Sequence, residues 1–291
     1  MHMYEFPALT PRVSIVIPCY NGAGFVGRAI ESGLAQNHPD IEVIVVDDGS
    51  SDDSLAVICG YPAVTCIAQE NAGVSATRNA GLARATGDFV IFLDCDDVLR
   101  SDCVPIGLAS LRRHPQASFT FGRLQRIDAE GRPIPTQAGP GAGWLDYASG
   151  LHPRIPTPPA LAMFRTTLVR DLGGFDARVR YGEDYEFYLR HLRRAPAWRH
   201  GTVVAEYRRH GANATRCRSA FLNGVMEVLK AERDWIGDDT ALLAEWRAGR
   251  RDWQRCSARW LPDHALRRLS PGRCSRSIPG AAACDRGAGH A

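Results

Sequence analysis

Four short, almost unbroken apolar runs dominate the first hundred residues: Val13–Pro18, Ile41–Asp47, Val64–Ala68 and Phe89–Asp94. Between them lie segments with helical patterning, at about 23–36, 52–59 and 74–85. A strand that is apolar on both faces must be covered on both faces. Strands of that kind alternating with helices specify an open, mostly parallel α/β sheet flanked by helices. Few other chain patterns restrict the fold as tightly. Ser51, Asp52 and Asp53 supply a helix start at the second crossover.

Farther along, residues 117–128 read as another strand. A Gly- and Pro-rich stretch, 131–159, reads as a long loop without regular elements. It carries Trp144 and Tyr147, suited either to a lid over a ligand or to packing on the sheet. A short strand at 160–164, a helix at 182–194 and a strand at 198–207 follow. From about 215 the pattern becomes helical, at 216–236 and 239–256. Trp235, Trp246 and Trp253 in this part suit either core packing or contact with a membrane surface. Residues 270–291, rich in Gly, Ala, Ser and Arg, read as a disordered tail.

Composition narrows the function classes. The net charge of +3 is too small to imply a nucleic-acid partner. The nine cysteines show no C-x-x-C spacing, and Cys19, Cys66 and Cys95 sit in or beside apolar runs. They read as reduced, packed thiols in a reducing compartment. The N-terminal stretch has no signal-peptide apolar core, and no apolar run approaches the roughly 18 residues of a membrane span. The expectation is a cytoplasmic protein, with peripheral attachment at the inner membrane face left open.

In an open parallel sheet, ligands bind beyond the carboxyl ends of the strands. Three of the apolar runs end there in polar residues. The first ends in Pro18, Cys19, Tyr20, Asn21 and Gly22, the second in Asp47, Asp48, Gly49 and Ser50, the fourth in Asp94, Cys95, Asp96 and Asp97. Strand alternation directs Asp94 and Asp96 to the same side. Paired carboxylates of this kind are hard oxygen ligands for Mg²⁺ or Mn²⁺ bridging to a diphosphate. An Asp-rich turn that caps the next helix is the plainer alternative. Tyr20 is placed either to stack on a base or to pack locally.

The segments VSIVIPCYNG, VVDDGSSDDS, ENAGVSATRNAGLARATGDFVIFLDCDD and GGFDARVRYGEDYEFYLR together resemble family 2 glycosyltransferases of the GT-A fold. The likeness runs over about 11–211, which implies a transferase domain at 1–214, a C-terminal helical appendage at 215–269 and the tail beyond. It implies that Tyr20 stacks on the nucleotide base and that Asp48 accepts a hydrogen bond from it, with Pro18 and Asn21 shaping the pocket. Arg78 would approach the nucleotide or its phosphates. Asp94 and Asp96 would form the DxD motif, Asp96 as metal ligand and Asp94 nearer the ribose. His210 would lie near the diphosphate or metal. Asp184 would be the catalytic base. Tyr185 stands where many relatives carry Trp, which puts the stacking of the acceptor in question.

The implied reaction is inverting transfer from a nucleotide sugar, a UDP- or dTDP-sugar, to the hydroxyl of a glycan or lipid-linked acceptor in envelope polysaccharide or other glycan synthesis. A divalent cation stabilises the leaving diphosphate, and a carboxylate base assists the weak hydroxyl nucleophile. Two other readings compete. A nucleotidyltransferase would carry a Gly-rich basic loop after the first strand, where this chain has PCYNG. A non-catalytic nucleotide-sugar-binding protein would be expected to lose an acid, yet Asp94, Asp96 and Asp184 are all present.

Overall fold

The computed structural model of the chain describes residues 4–6, 10–136, 139–155, 158–211 and 218–260. The expected tail at 270–291 and the boundary at 214/215 lie outside the described residues. The first half runs β1 (Val13–Cys19), α1 (Val26–Leu34), β2 (Ile41–Asp47), α2 (Ser54–Cys59), β3 (Thr65–Ala68), α3 (Val74–Arg84) and β4 (Phe89–Phe92). There follow β5 (Val98–Leu99), α4 (Cys103–Arg113), β6 (Phe119–Ile127), β7 (Pro133–Ile134), β8 (Gly143–Leu145) and α5 (Tyr147–Gly150). A 3₁₀ turn at Pro159–Leu161 leads into β9 (Ala162–Arg165) and α6 (Thr166–Asp171). The chain continues with α7 (Glu183–Arg194), β10 (Ala197–Arg208), α8 (Arg218–Ile236) and α9 (Thr240–Trp260).

These strands form one sheet in the order β3-β2-β1-β4-β9-β6-β10-β5, with β7 on β6 and β8 on β10. The long strands run parallel: β3, β2, β1 and β4 in one half, β6 with β10 in the other. β9 joins the halves by pairing antiparallel to both β4 and β6. The expected open α/β sheet with helices on both faces is therefore present.

Strand alternation sorts the apolar residues into two cores. Val13, Ile15 and Ile17 of β1 face α1 and α4 with Val43, Val45 and Ile91. Val16, Ile44, Val46, Val90 and Phe92 face the opposite way, toward α3 and α7. The second core also takes in Val225 and Leu229 of α8 and Leu243 and Trp253 of α9. The C-terminal helices therefore pack on the same hydrophobic mass as the sheet.

Three features depart from the sequence reading. The segment 103–113 is a helix that the pattern did not single out. Its buried Val104, Leu108 and Leu111 follow helical spacing, and Pro105 is tolerated because it lies in the first turn. The short strand expected at 160–164 begins instead at Ala162, after the 3₁₀ turn. The stretch 131–159 contains β7, β8 and α5 rather than a structureless loop. Trp144 pairs in β8 with Trp198 of β10 and makes edge contacts with the Trp198 and His114 rings. Tyr147 is buried, and its hydroxyl donates to Glu232 of α8 at 2.5 Å. Tyr147 is thus packed in the interior as the surface-loop alternative expects, whereas Trp144 touches its neighbours and stays 43% exposed.

Candidate active site

The carboxyl ends of β1, β2 and β4 lie side by side, because β1 pairs with both neighbours in parallel register. Pro18 is buried within β1 opposite Val46. Half-buried Tyr20 follows at the strand's end. Asn21 takes a positive φ of 51°, a conformation that Asn tolerates better than most residues. Its amide N–H donates to the Ser50 hydroxyl at 2.9 Å, and its Oδ1 accepts from the Ser51 N–H at 2.8 Å. Asn21 thus ties the loop after β1 to the loop after β2.

Asp48 is 3% exposed. Its Oδ1 accepts from Gln69 Nε2 at 2.7 Å and from the Ala72 N–H at 2.9 Å, and its Oδ2 accepts from the Gly73 N–H at 2.9 Å. Asn71 Nδ2 donates to its backbone carbonyl at 3.0 Å. The carboxylate therefore holds the turn that opens α3. Asn71 belongs to a segment quoted for its motif and Gln69 lies immediately before it, but nothing in their spacing marked them as partners of Asp48.

The turn after β4 carries the acids. Asp96 Oδ2 and His210 Nε2 are 2.8 Å apart, although they are far apart in sequence. The His210 ring lies on Phe25, with centroids 4.6 Å apart. Burial and the neighbouring Asp94 raise the Asp96 carboxyl above its usual range, against the opposing pull of His210. Asp97 is buried; its Oδ1 accepts the Arg208 N–H at 2.9 Å and its Oδ2 has no hydrogen-bond partner. Burial, then Asp96 and Asp94, push its pKa well up. Among the described residues no cluster of three or more metal-ligating side chains is preformed. The donor set still fits a hard divalent cation. A carboxylate and an imidazole already meet, repelling acids surround them, and Mg²⁺-like ions complete their shells with water and substrate phosphate.

Arg78, on α3, stands between this turn and α7. Its side chain is 2% exposed. Nη2 donates to Asp94 Oδ1 at 2.7 Å, and Nη1 donates to Asp184 Oδ1 at 2.7 Å and to Glu183 Oε1 at 3.4 Å. The guanidinium carbon lies 5.0 Å from the centre of the Phe175 ring. Burial works against its charge, but Asp184, Asp94 and Glu183 more than offset it, so the group is held more firmly protonated than usual. Asp184 opens α7 behind Gly182, whose φ of 78° turns the chain into the helix. Burial raises the Asp184 carboxyl above the ordinary range, Arg78 opposes, and Glu183 and Asp94 add to the rise.

The structure thus brings Asp94, Asp96, His210, Arg78 and Asp184 to one sheet edge, beside Tyr20 and Asp48. Tyr185 does not face this edge. It is 1% exposed, and its hydroxyl donates to the Leu151 carbonyl at 3.0 Å. The Tyr/Trp difference at this position therefore concerns packing of the C-terminal helices.

The sequence profile described as "Glycosyl transferase family 2" matches residues 14–173, more than half of the chain. A chondroitin synthase of Escherichia coli is 30% identical over 184 residues, which cover 62% of this chain and 26% of that protein. An uncharacterized glycosyltransferase of Nostoc sp. is 47% identical over 122 residues, 40% of this chain and 37% of that one. The chain thus spans about a quarter to two fifths of these relatives' own length. Among solved structures, S. aureus TarS 1-349 superposes with a TM-score of 0.66 at 18% identity, covering 85% of this chain and 73% of that one. The mannosyltransferase PcManGT of Pyrobaculum calidifontis, solved with GDP-Man and Mn²⁺, gives a TM-score of 0.62 at 18% identity, covering 86% and 73%. These likenesses establish the shared fold, and the profile match establishes the family: this chain belongs to glycosyl transferase family 2.

Proposed function

We propose that the chain transfers a sugar from a nucleotide-sugar donor to an acceptor hydroxyl with inversion, in the synthesis of an envelope polysaccharide or another glycan. One observation carries this reading: an acid–imidazole pair, Asp96 with His210, and an acid at a helix start, Asp184, share one edge of the sheet. Family membership supports the transferase class, and the relatives' glycan products support the substrate class. TarS has been solved with UDP-GlcNAc and PcManGT with GDP-Man, which supports a nucleotide-sugar donor; our reading takes it as a UDP- or dTDP-sugar.

In this scheme Tyr20 stacks on the base, with Pro18 and Asn21 shaping its pocket, and Asp48 accepts a hydrogen bond from the base while holding the turn beside it. Asp94 faces the ribose. Asp96 and His210 would hold Mn²⁺ or Mg²⁺, which would offset the charge of the leaving diphosphate. Asp184 takes the acceptor hydroxyl's proton. The acceptor oxygen bonds to the anomeric carbon as that carbon's bond to the diphosphate oxygen breaks. The electron pair leaves with the nucleoside diphosphate, and the proton remains on Asp184. The transition state is oxocarbenium-like, as in glycoside hydrolysis.

We assign residues 1–214 to the transferase domain and 215–269 to a C-terminal helical region, of which α8 and α9 are described and pack on the sheet's core. The acceptor is a glycan or a lipid-linked glycan. No described helix is long and apolar enough to cross a membrane. We place the protein in the cytoplasm, with α8 and α9 available for peripheral contact at the inner membrane face. The deciding experiment is a thermal-shift screen of nucleotide sugars with and without Mn²⁺, followed by an assay for nucleoside-diphosphate release. A donor that stabilises only with metal and is turned over supports the reading. Absence of any stabilising nucleotide sugar would overturn it, and release of inorganic diphosphate would indicate nucleotidyl transfer.

A further inference from the structure

The buried guanidinium of Arg78 bonds two carboxylates that come from elements far apart in the chain. Asp94 lies two residues beyond the end of β4, and Asp184 is in the first turn of α7. Each lies 2.7 Å from a different terminal nitrogen of the same fork. Glu183 shares the nitrogen on the Asp184 side. Phe175, in the turn that leads to α7, lies under the guanidinium and is itself stacked on Phe187 at 4.1 Å. A planar fork gripped at both ends and backed by a ring has little freedom to swing. With its terminal nitrogens already given to carboxylates, it is poorly placed to reach a phosphate.

We propose that Arg78 is a positioning residue that fixes the Asp184 carboxylate relative to Asp94, so that the acceptor side and the donor side of the site are held as one unit. This rests on the reading of Asp184 as the base. The physical reason is the short lever of the two contacts. A general base must sit within hydrogen-bond reach of the proton it takes, and small displacements of reacting groups are costly in rate. Asp184 has Glu183 beside it and Asp94 across the fork. Without the cation between them, three acids would repel one another, and Asp184 would turn away from Asp94. Arg78 touches neither the anomeric carbon nor the acceptor in this scheme; it acts through Asp184.

The test compares Arg78→Lys, Arg78→Met and Asp184→Asn by three measurements: UDP affinity in the presence of Mn²⁺, kcat with saturating donor, and the pH profile of kcat. Lys keeps the charge and loses the fork. For Arg78→Lys we expect kcat to fall at least tenfold while UDP affinity stays within threefold. For Arg78→Met we expect a further fall in kcat. The acid limb of its pH profile should move to higher pH, because a cation that favours the Asp184 carboxylate is gone. In Arg78→Lys the limb should return toward the parent position. Should Arg78→Met not fold, the Lys variant decides alone. Loss of UDP affinity by tenfold or more with kcat preserved would make Arg78 a donor ligand and overturn the inference, as would unchanged kcat in both variants. Asp184→Asn separates the two levels. If it turns over normally, the reading of the base fails. If it is inactive while the Arg78 variants alter affinity only, the positioning role alone fails.

Discussion

The indole N–H of Trp253 donates to the hydroxyl of Tyr185 at 3.2 Å, with the two rings 5.1 Å apart in an edge arrangement. Tyr185 is the residue after Asp184, so α9 reaches directly behind the start of α7. Two glycines allow that approach. A Cβ on Gly249 would lie 2.4 Å from the Leu151 carbonyl oxygen, and one on Gly224 would lie 2.1 Å from the Tyr181 carbonyl oxygen. The C-terminal helices therefore buttress the segment that presents Asp184.

Loosening this buttress should destabilise the protein. Gly249→Ala forces a methyl group onto a backbone carbonyl, and overpacking of this kind costs about 1–3 kcal/mol. Trp253→Phe removes one buried hydrogen bond and leaves the ring contact, at a cost of about 1 kcal/mol. Urea unfolding of the two variants checks the order. Gly249→Ala as stable as the parent would mean that α9 does not pack closely on Leu151.

Replacing Asp184 by Asn keeps the shape and removes the proton acceptor. Turnover should fall about 10²–10⁴-fold, and donor affinity should change little because in the proposed scheme the carboxylate serves the acceptor. Steady-state rates set beside nucleotide titrations check both statements. Undiminished turnover would exclude Asp184 as the base.

Removal of the proposed metal ligands should act on the donor instead. Asp96→Ala and His210→Ala should each weaken binding of a nucleoside diphosphate in Mn²⁺, and EDTA should weaken it in the parent. Calorimetric titration checks this. Affinities indifferent to chelation and to both substitutions would remove metal from the scheme.

At the base pocket, Tyr20→Ala should cost about 1–3 kcal/mol of nucleotide affinity, by analogy with stacking on single-stranded nucleic acids. Tyr20→Phe should be nearly silent, since stacking needs the ring alone. Equal losses in both variants would assign the effect to the hydroxyl.

Acid should destabilise the fold in part through His191. Its ring lies among Phe119, Phe164 and Phe187, and its Nδ1 bonds the Phe187 carbonyl at 2.8 Å. Burial lowers its pKa from 6.5 to about 3, with the Phe187 carbonyl opposing. The imidazole is therefore neutral when folded and takes a proton in the unfolded chain below pH 6.5. Stability should fall as pH drops from 6.5 toward 3, by about 1.4 kcal/mol per pH unit for this group. In His191→Gln that contribution should vanish. Unfolding free energies at the two ends of the window measure it, and an unchanged slope would refute the assignment.

Local physics wrote much of this protein into its sequence. Continuous apolar runs force strands covered on both faces, and their alternation with helices forces parallel pairing. Parallel pairing places Tyr20, Asp48 and Asp94 at one edge, so the position of the candidate site was legible before any contact was known. Contacts between distant elements were not legible, because no spacing rule connects them. Periodicity does not show that β9 joins the two halves of the sheet antiparallel to both. Nor does it show that Trp144 and Tyr147 pack on β10 and α8 instead of roaming. Arg78 is the sharpest case. On its own helix it resembles any polar residue near a ligand, and only the meeting of β4 with α7 surrounds it with Asp94, Glu183 and Asp184. The environment of a charge depends on all the elements packed around it, and that is decided by the tertiary fold.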